Sequence, residues 1–256
     1  MQHDLTALRS SYLKASQQFD QALLRIPVAG SDEPLVSLAS VFPAGSPPVV
    51  ASKNSTTLFY LRKGPAEALA AASAYFGAMG YLLRVESAYR SLTSQRELFK
   101  KRVADMRQAH PGATLPELLA HASTYTAGIP VLAAHTAGAA VDVVLSWPDG
   151  TLLDFGVPYR HGDVESVTDF PNLSSAAKEN RRILREGMER LGWVNYPFEY
   201  WHYSIGDVAA AYVKKESSAL YEPVDFDPQT GHMNRLHDKK SREFFDIEEH
   251  FLTNGS

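Results

Sequence analysis

His135-Thr-Ala-Gly-Ala-Ala-Val-Asp142-Val-Val-Leu145 is the stretch on which the reading of this chain turns. Residues 139 to 145 are an apolar run holding one aspartate, and a run of that length suits a buried strand. Side chains alternate along a strand, so Ala140, Asp142 and Val144 share one face. A carboxylate set among Ala, Val and Leu is costly to bury unless it is paired or holds a metal. Sixty residues on, Glu199-Tyr-Trp-His202 opens a second strand, read over Tyr200 to Ile205. There His202 and Ser204 lie opposite Trp201, Tyr203 and Ile205. If the two strands pair, Asp142 and His202 can lie side by side, because opposed Cβ atoms sit about 5 Å apart. Gly138 gives the backbone freedom to turn His135 back toward Asp142. Glu199 is an odd number of residues from His202, so it must precede the regular strand, which Pro197 accommodates.

Two imidazoles and one carboxylate are the ligand set of a catalytic zinc site, which leaves a fourth position for water. Glu199 is then a spare acid able to act as a base. Taken singly, each residue has an ordinary alternative. Asp142 can pair with a buried arginine, and His202 beside Trp201 can be a hydrogen-bonded core residue. The combination favours metal-assisted hydrolysis, with a single zinc ion as the expected cofactor. Iron, cobalt and manganese suit the same donors. Arg90, in Ala88-Tyr-Arg-Ser91, ends a strand just before a helix. Its guanidinium can steady an oxyanion there or make a structural salt bridge. His161 reads as loop chemistry, and His110, His121 and the tail histidines as solvated or structural.

The remaining sequence bounds the setting. The 256 residues are 45% hydrophobic and 21% charged, with 25 basic and 29 acidic residues for a net charge of -4. That balance gives no electrostatic reason to seek nucleic acid or anionic lipid. There are no cysteines, which excludes disulfides, thiolate metal sites and cysteine nucleophiles. The N-terminus has no basic region followed by an apolar one, and no apolar run approaches the roughly 18 residues of a membrane span. A cytoplasmic location is the expectation.

Periodicity predicts a helix within residues 1–25, loop with short strands over 27–56, and a helix from Gly64-Pro65 to 79 closed by Gly80. A strand over Tyr81–Tyr89 delivers Arg90. Ser94-Gln-Arg-Glu97 reads as a capping box opening a helix to His110, and Thr114-Leu-Pro-Glu117 as a second box. Leu152–Phe155 reads as a hairpin return after the turn at Trp147-Pro-Asp-Gly150. Residues 175–191 form the clearest helix, with Gly192 at its C-cap. This order predicts a single α+β domain, a central antiparallel sheet with flanking helices, spanning residues 1–215 with 1–60 packed on it. Residues 216–256 read as a polar extension, a surface for a second copy of the chain.

The motifs together resemble the zinc D-alanyl-D-alanine dipeptidases of the vancomycin-resistance type. These belong to a wider family of D,D-carboxypeptidases and phage endolysins that shares a fold with the Hedgehog signalling domain. The likeness runs from about Ala66 to Asp207. It rests on Tyr89-Arg90-Ser91, His135 with Asp142 seven positions on, Asn180-Arg181-Arg182, Glu199-x-Trp201-His202, and a Leu153-Asp-Phe-Gly156 loop. The resemblance implies that His135, Asp142 and His202 hold zinc, that Glu199 is general base and acid, and that Arg90 steadies the oxyanion. It implies a small peptide as substrate, with Tyr159, Arg160, Asp163 and Trp201 as the residues expected to contact it.

Two positions depart from the family pattern. Ala133 stands where the dipeptidases carry a serine, and Arg160 where they carry an aspartate that meets the substrate ammonium. A cation there repels an ammonium and favours a carboxylate. Asp163 can take the aspartate's place if the loop is shifted. Two other readings therefore stay open: a carboxypeptidase or amidase on a larger or acidic substrate, and a metal-bearing binding module without catalysis.

Overall fold

The computed structural model describes residues 4–42 and 59–247. The proline- and glycine-rich part of the 27–56 segment, Pro43 to Pro48, and the terminal Asn-Gly-Ser lie outside those residues. The described chain begins with α1 (Leu5–Leu23), whose N-cap Asp4 accepts from the Thr6 amide. β1 (Leu35–Ser37) leads into the short α2 (Leu38–Val41) and pairs antiparallel with β2 (Tyr60–Arg62). α3 (Lys63–Ala78) follows, with Pro65 in its first turn and Gly80, at φ +85°, just past its end.

β3 (Leu82–Ser87) then carries the chain to Arg90, and α4 (Leu92–Ala109) begins two residues later. The cap of α4 is Ser91, which accepts from the Ser94 amide, rather than Ser94 itself. Ser91 is the last extended residue, so its side chain reaches the free amides, whereas Ser94 already sits in the first turn. The box at Thr114 and Glu117 does cap α5 (Leu115–Ser123). Two 3₁₀ turns, Pro130–Leu132 and Ala134–Ala137, bring the chain to Gly138, at φ +67°. Next come β4 (Ala140–Ser146), α6 (Ser175–Arg190), β5 (Val194–Asn195), β6 (His202–Ser204) and α7 (Val208–Lys214). The hairpin of β7 (Val224–Phe226) and β8 (Met233–Arg235) and the short α8 (Asp238–Ser241) complete the order.

The main sheet is antiparallel in the order β3-β4-β6-β5, so the fold is α+β. Every residue of β4 is buried, which fits a central strand covered on both faces. Val141, Val143 and Leu145 join Phe76, Leu83, Val85, Leu184, Trp193 and Tyr203 in one core beneath α3 and α6. Each fully buried side chain of this size contributes roughly 1.5–3 kcal/mol. The expected hairpin return at Leu152–Phe155 is reduced to one bridge between Ser146 and Leu152. After it the chain leaves the sheet, because the β4 edge that a return strand needs is already taken by β6 and β3.

The segment after Glu216 is stitched to its own chain. The Tyr89 hydroxyl donates to the Val224 carbonyl at 3.0 Å and accepts from the Phe226 amide at 2.9 Å. Arg62, fully buried, ties three segments together. It donates to the carbonyls of Ser31, Glu33 and Ala137, and lies 3.9 Å from Glu222. No helix among the described residues is long and apolar enough to cross a membrane.

Candidate metal centre

The pairing of β4 with β6 sets Asp142 directly opposite His202. Asp142 Oδ1 lies 2.9 Å from His202 Nδ1 and 3.3 Å from His135 Nε2. The two imidazoles meet edge-on, with centroids 4.9 Å apart. His135 reaches this point because the left-handed turn at Gly138 reverses the chain. Its backbone carbonyl is held by the Arg90 amide at 3.1 Å. The three donor atoms lie within 4.8 Å of one another. His135 and Asp142 are buried, while His202 keeps partial contact with solvent.

The donor set suits a divalent ion. His135 Nδ1 sits 2.7 Å from the Ala88 carbonyl. That acceptor requires the proton on Nδ1, which leaves the Nε2 lone pair facing Asp142. Burial depresses the His135 pKa, the Asp142 charge opposing only in part, so the neutral, ligating form is favoured. Burial alone would raise Asp142, but the two histidines outweigh it and hold the carboxyl well below its usual range. For His202, burial is outweighed by the bond to Asp142 and by nearby negative charge, so its pKa is raised. Two nitrogens and one carboxylate oxygen from three protein residues are the set that a catalytic zinc site uses.

Glu199 precedes β6 in a turn, its amide bonded to the Tyr196 carbonyl. Trp201 Nε1 donates to Glu199 Oε2 at 3.1 Å. Burial, together with the charge of Asp142, raises the Glu199 pKa, against the pull of His202, Trp201 and Arg90. Arg90 is buried, donating to Gln95 Oε1 at 2.8 Å, and its Nε has no partner among the described residues. Burial lowers its pKa, with Asp142 and Glu199 opposing.

The four residues expected at the substrate fall into different settings. The Tyr159 hydroxyl donates to Asp142 Oδ2 at 2.8 Å, and Arg160 stands exposed beside it. Trp201 is buried and turned toward Glu199 rather than toward open space. Asp163 is engaged by Arg9 of α1 through both carboxylate oxygens and also accepts from the Val164 amide. His161 lies 3.6 Å from Glu165. Arg181 carries a task that sequence spacing alone did not reveal. It is buried and donates to the carbonyls of Phe155, Glu165 and Val167, holding both ends of the loop that bears Tyr159 and Arg160. Its place in the Asn180-Arg181-Arg182 motif was the one signal available.

An antiparallel α+β domain that gathers two histidines and an aspartate within reach of one ion has the donor set of a catalytic metal centre. The sequence profile of peptidase family M15, described as D-Ala-D-Ala dipeptidase, matches residues 51–220, and the chain belongs to that family. It is 35% identical over 74 residues to the D-alanyl-D-alanine dipeptidase of Enterococcus faecalis (strain ATCC 700802 / V583), covering 28% of this chain and 37% of that protein. Identity to the Escherichia coli (strain K12) D-alanyl-D-alanine dipeptidase is 29% over 86 residues, or 34% of this chain and 45% of the other. The chain thus spans less than half the length of these curated relatives. Among solved structures, VanYB in complex with D-alanine-D-alanine aligns with 20% identity and TM-score 0.44, over 77% of this chain and 94% of that one. The LdcB LD-carboxypeptidase aligns with 18% identity and TM-score 0.43, over 73% and 76%.

Proposed function

We propose that this chain is a zinc-dependent peptidase hydrolysing the amide bond of a small peptide, a D-Ala-D-Ala-like dipeptide or a short peptide with D-residues. The observation that carries the reading is the convergence of His135 Nε2, Asp142 Oδ1 and His202 Nδ1, with the partly buried acid Glu199 three residues before His202. One zinc ion held by His135, Asp142 and His202 would polarise the scissile carbonyl and lower the pKa of a bound water to about 7. Glu199 takes the proton of the attacking water on Oε1, since Trp201 occupies Oε2. A raised carboxyl pKa suits that role, because the same group must later give the proton to the leaving amine. Arg90, whose Nε has no partner among the described residues, offers positive charge to the oxyanion as it forms.

A second reading is supported by Arg160. With Asp163 occupied by Arg9, the exposed charge at this rim is a cation, which suits a carboxylate-bearing substrate and a carboxypeptidase or amidase reaction. A panel of dipeptides and cell-wall peptides, with free and with acylated N-termini, separates the two. The test common to both is Glu199→Ala. Turnover should fall by at least the roughly 10²–10⁴-fold that general acid–base catalysis supplies, with zinc content unchanged. Undiminished turnover would reject the mechanism.

A further inference from the structure

The two oxygens of Asp142 are divided between different tasks. Oδ1 faces both imidazoles, while Oδ2 accepts the Tyr159 hydroxyl at 2.8 Å. Tyr159 is itself fixed from two sides. Its ring meets Trp201 edge-on at 5.5 Å, and its hydroxyl accepts from Arg160 Nε at 3.0 Å. The Arg160 guanidinium also stands over the same ring, 5.2 Å from its centre.

Arg160 adopts φ +62°, one of two non-glycine residues in the left-handed region among the described residues. A long side chain there strains the backbone. Such strain persists only where surrounding contacts over-determine it, and it concentrates at functional sites. Arg181 grips the loop through Phe155, Glu165 and Val167, and Tyr200 Oη donates to the Val157 carbonyl at 2.9 Å. The backbone is thereby held in the one conformation that lays Arg160 across Tyr159.

We propose that Tyr159, braced by Arg160, is a positioning residue for the Asp142 carboxylate: it reserves Oδ2, so that Oδ1 alone is presented to the ion-binding cluster. Resting on the metallopeptidase reading above, this assigns Tyr159 to the metal's supporting shell rather than to substrate contact. Outer partners of this kind orient the ligand and hold it ready, and losing one weakens metal binding by roughly 10–100-fold. Removing Arg160 acts one step further out, so its effect should run the same way and be smaller.

The experiment is zinc titration of the metal-stripped full chain against a chelating indicator, for wild type, Tyr159→Phe and Arg160→Gly. Cobalt(II) absorption spectra and metal-free melting temperatures are recorded in parallel. Tyr159→Phe should lose zinc affinity by roughly 10–100-fold and shift the cobalt(II) visible bands, without lowering the metal-free melting temperature enough to account for the loss. Arg160→Gly relieves the left-handed backbone and keeps the tyrosine. It should bind zinc more weakly while being at least as stable without metal, and it decides the matter if Tyr159→Phe does not fold. Wild-type affinity and an unshifted cobalt spectrum in the folded variants overturn the proposal. A wild-type chain that takes up no zinc overturns the underlying metallopeptidase reading instead.

Discussion

Asp142 and His202 are register partners across β4 and β6, and their side chains meet at 2.9 Å. Strand pairing and ligand geometry are therefore one constraint, since the cross-strand spacing that closes the sheet also brings the two donors together. His135 joins them from a turn, and Glu199 from the turn before β6.

Removing a member of this cluster should abolish metal uptake. For Asp142→Ala and His202→Ala, zinc per chain measured by elemental analysis should drop from about one to near zero. The loss of affinity should exceed the roughly 10–100-fold cost of deleting an outer partner. Stoichiometric zinc in either variant would refute the ligand assignment.

Chelation should both silence and soften the protein. Anything that binds only the folded state stabilises it by mass action, about 2.7 kcal/mol at a free concentration a hundred times the Kd. Melting temperature should rise with added zinc and fall when a chelator is present. A melting curve indifferent to both would count against a single tight site.

Which parts of this arrangement were legible beforehand follows from what each residue's neighbours are. The parity of Asp142 and His202 on alternating strands, and the glycine that turns His135, are local properties and could be read directly. So could α3, α6 and the cap at Thr114. The cap of α4 was displaced because Ser91 and Ser94 both offer a hydroxyl at suitable spacing, and only the end of β3 decides between them. The engagement of Asp163 by Arg9, 154 residues away, and the grip of Arg181 on a distant loop are tertiary facts with no local signature. The hairpin β7–β8 was missed for a related reason. Its strands are three residues each and are secured by Tyr89, far back in the chain.

Arg181→Ala should be among the most damaging single changes away from the metal centre. It strands the buried carbonyls of Phe155 and Val167 and the part-buried one of Glu165, and hydrogen bonds from a charged donor are worth about 1.5–3 kcal/mol each. Equilibrium urea unfolding should show a loss of roughly 3 kcal/mol or more. Arg181→Lys should rescue little, since an ammonium lacks the planar fork that spans the Phe155, Glu165 and Val167 carbonyls.

Asp20 gives the fold a dependence on pH. Burial of its carboxyl near Tyr196 pushes its pKa up to about 7, from 3.8. The folded state then holds a proton that the unfolded chain releases between those values, so stability falls as pH rises from about 4 to about 7. Asp20→Asn should remove that slope, leaving the variant more stable at pH 8 by about 1–4 kcal/mol and little changed at pH 4. Denaturant midpoints across pH provide the check, and parallel profiles for the two proteins would contradict it.

Gly138→Ala should weaken both fold and metal binding. The residue has φ +67°, and an added Cβ would come within 3.0 Å of the Leu35 side chain. Left-handed backbone alone costs about 1–2 kcal/mol for an alanine. The strain falls between His135 and Asp142, so zinc affinity should decline along with the melting temperature.

The two-residue repeat of β4 also limits how this protein can be lengthened or trimmed. The turn from Trp147 to Thr151, closed by the Trp147 amide on the Thr151 carbonyl, can gain or lose residues at no expense to the cluster. Deleting Val141 is different: it carries the carboxylate to the opposite side of the sheet and turns a valine toward the histidines. An even-numbered change keeps the face but slides the carboxylate roughly 6.6 Å along the strand, out of register with His202, so any loop graft or chimaera built on this scaffold has to leave the length of β4 untouched.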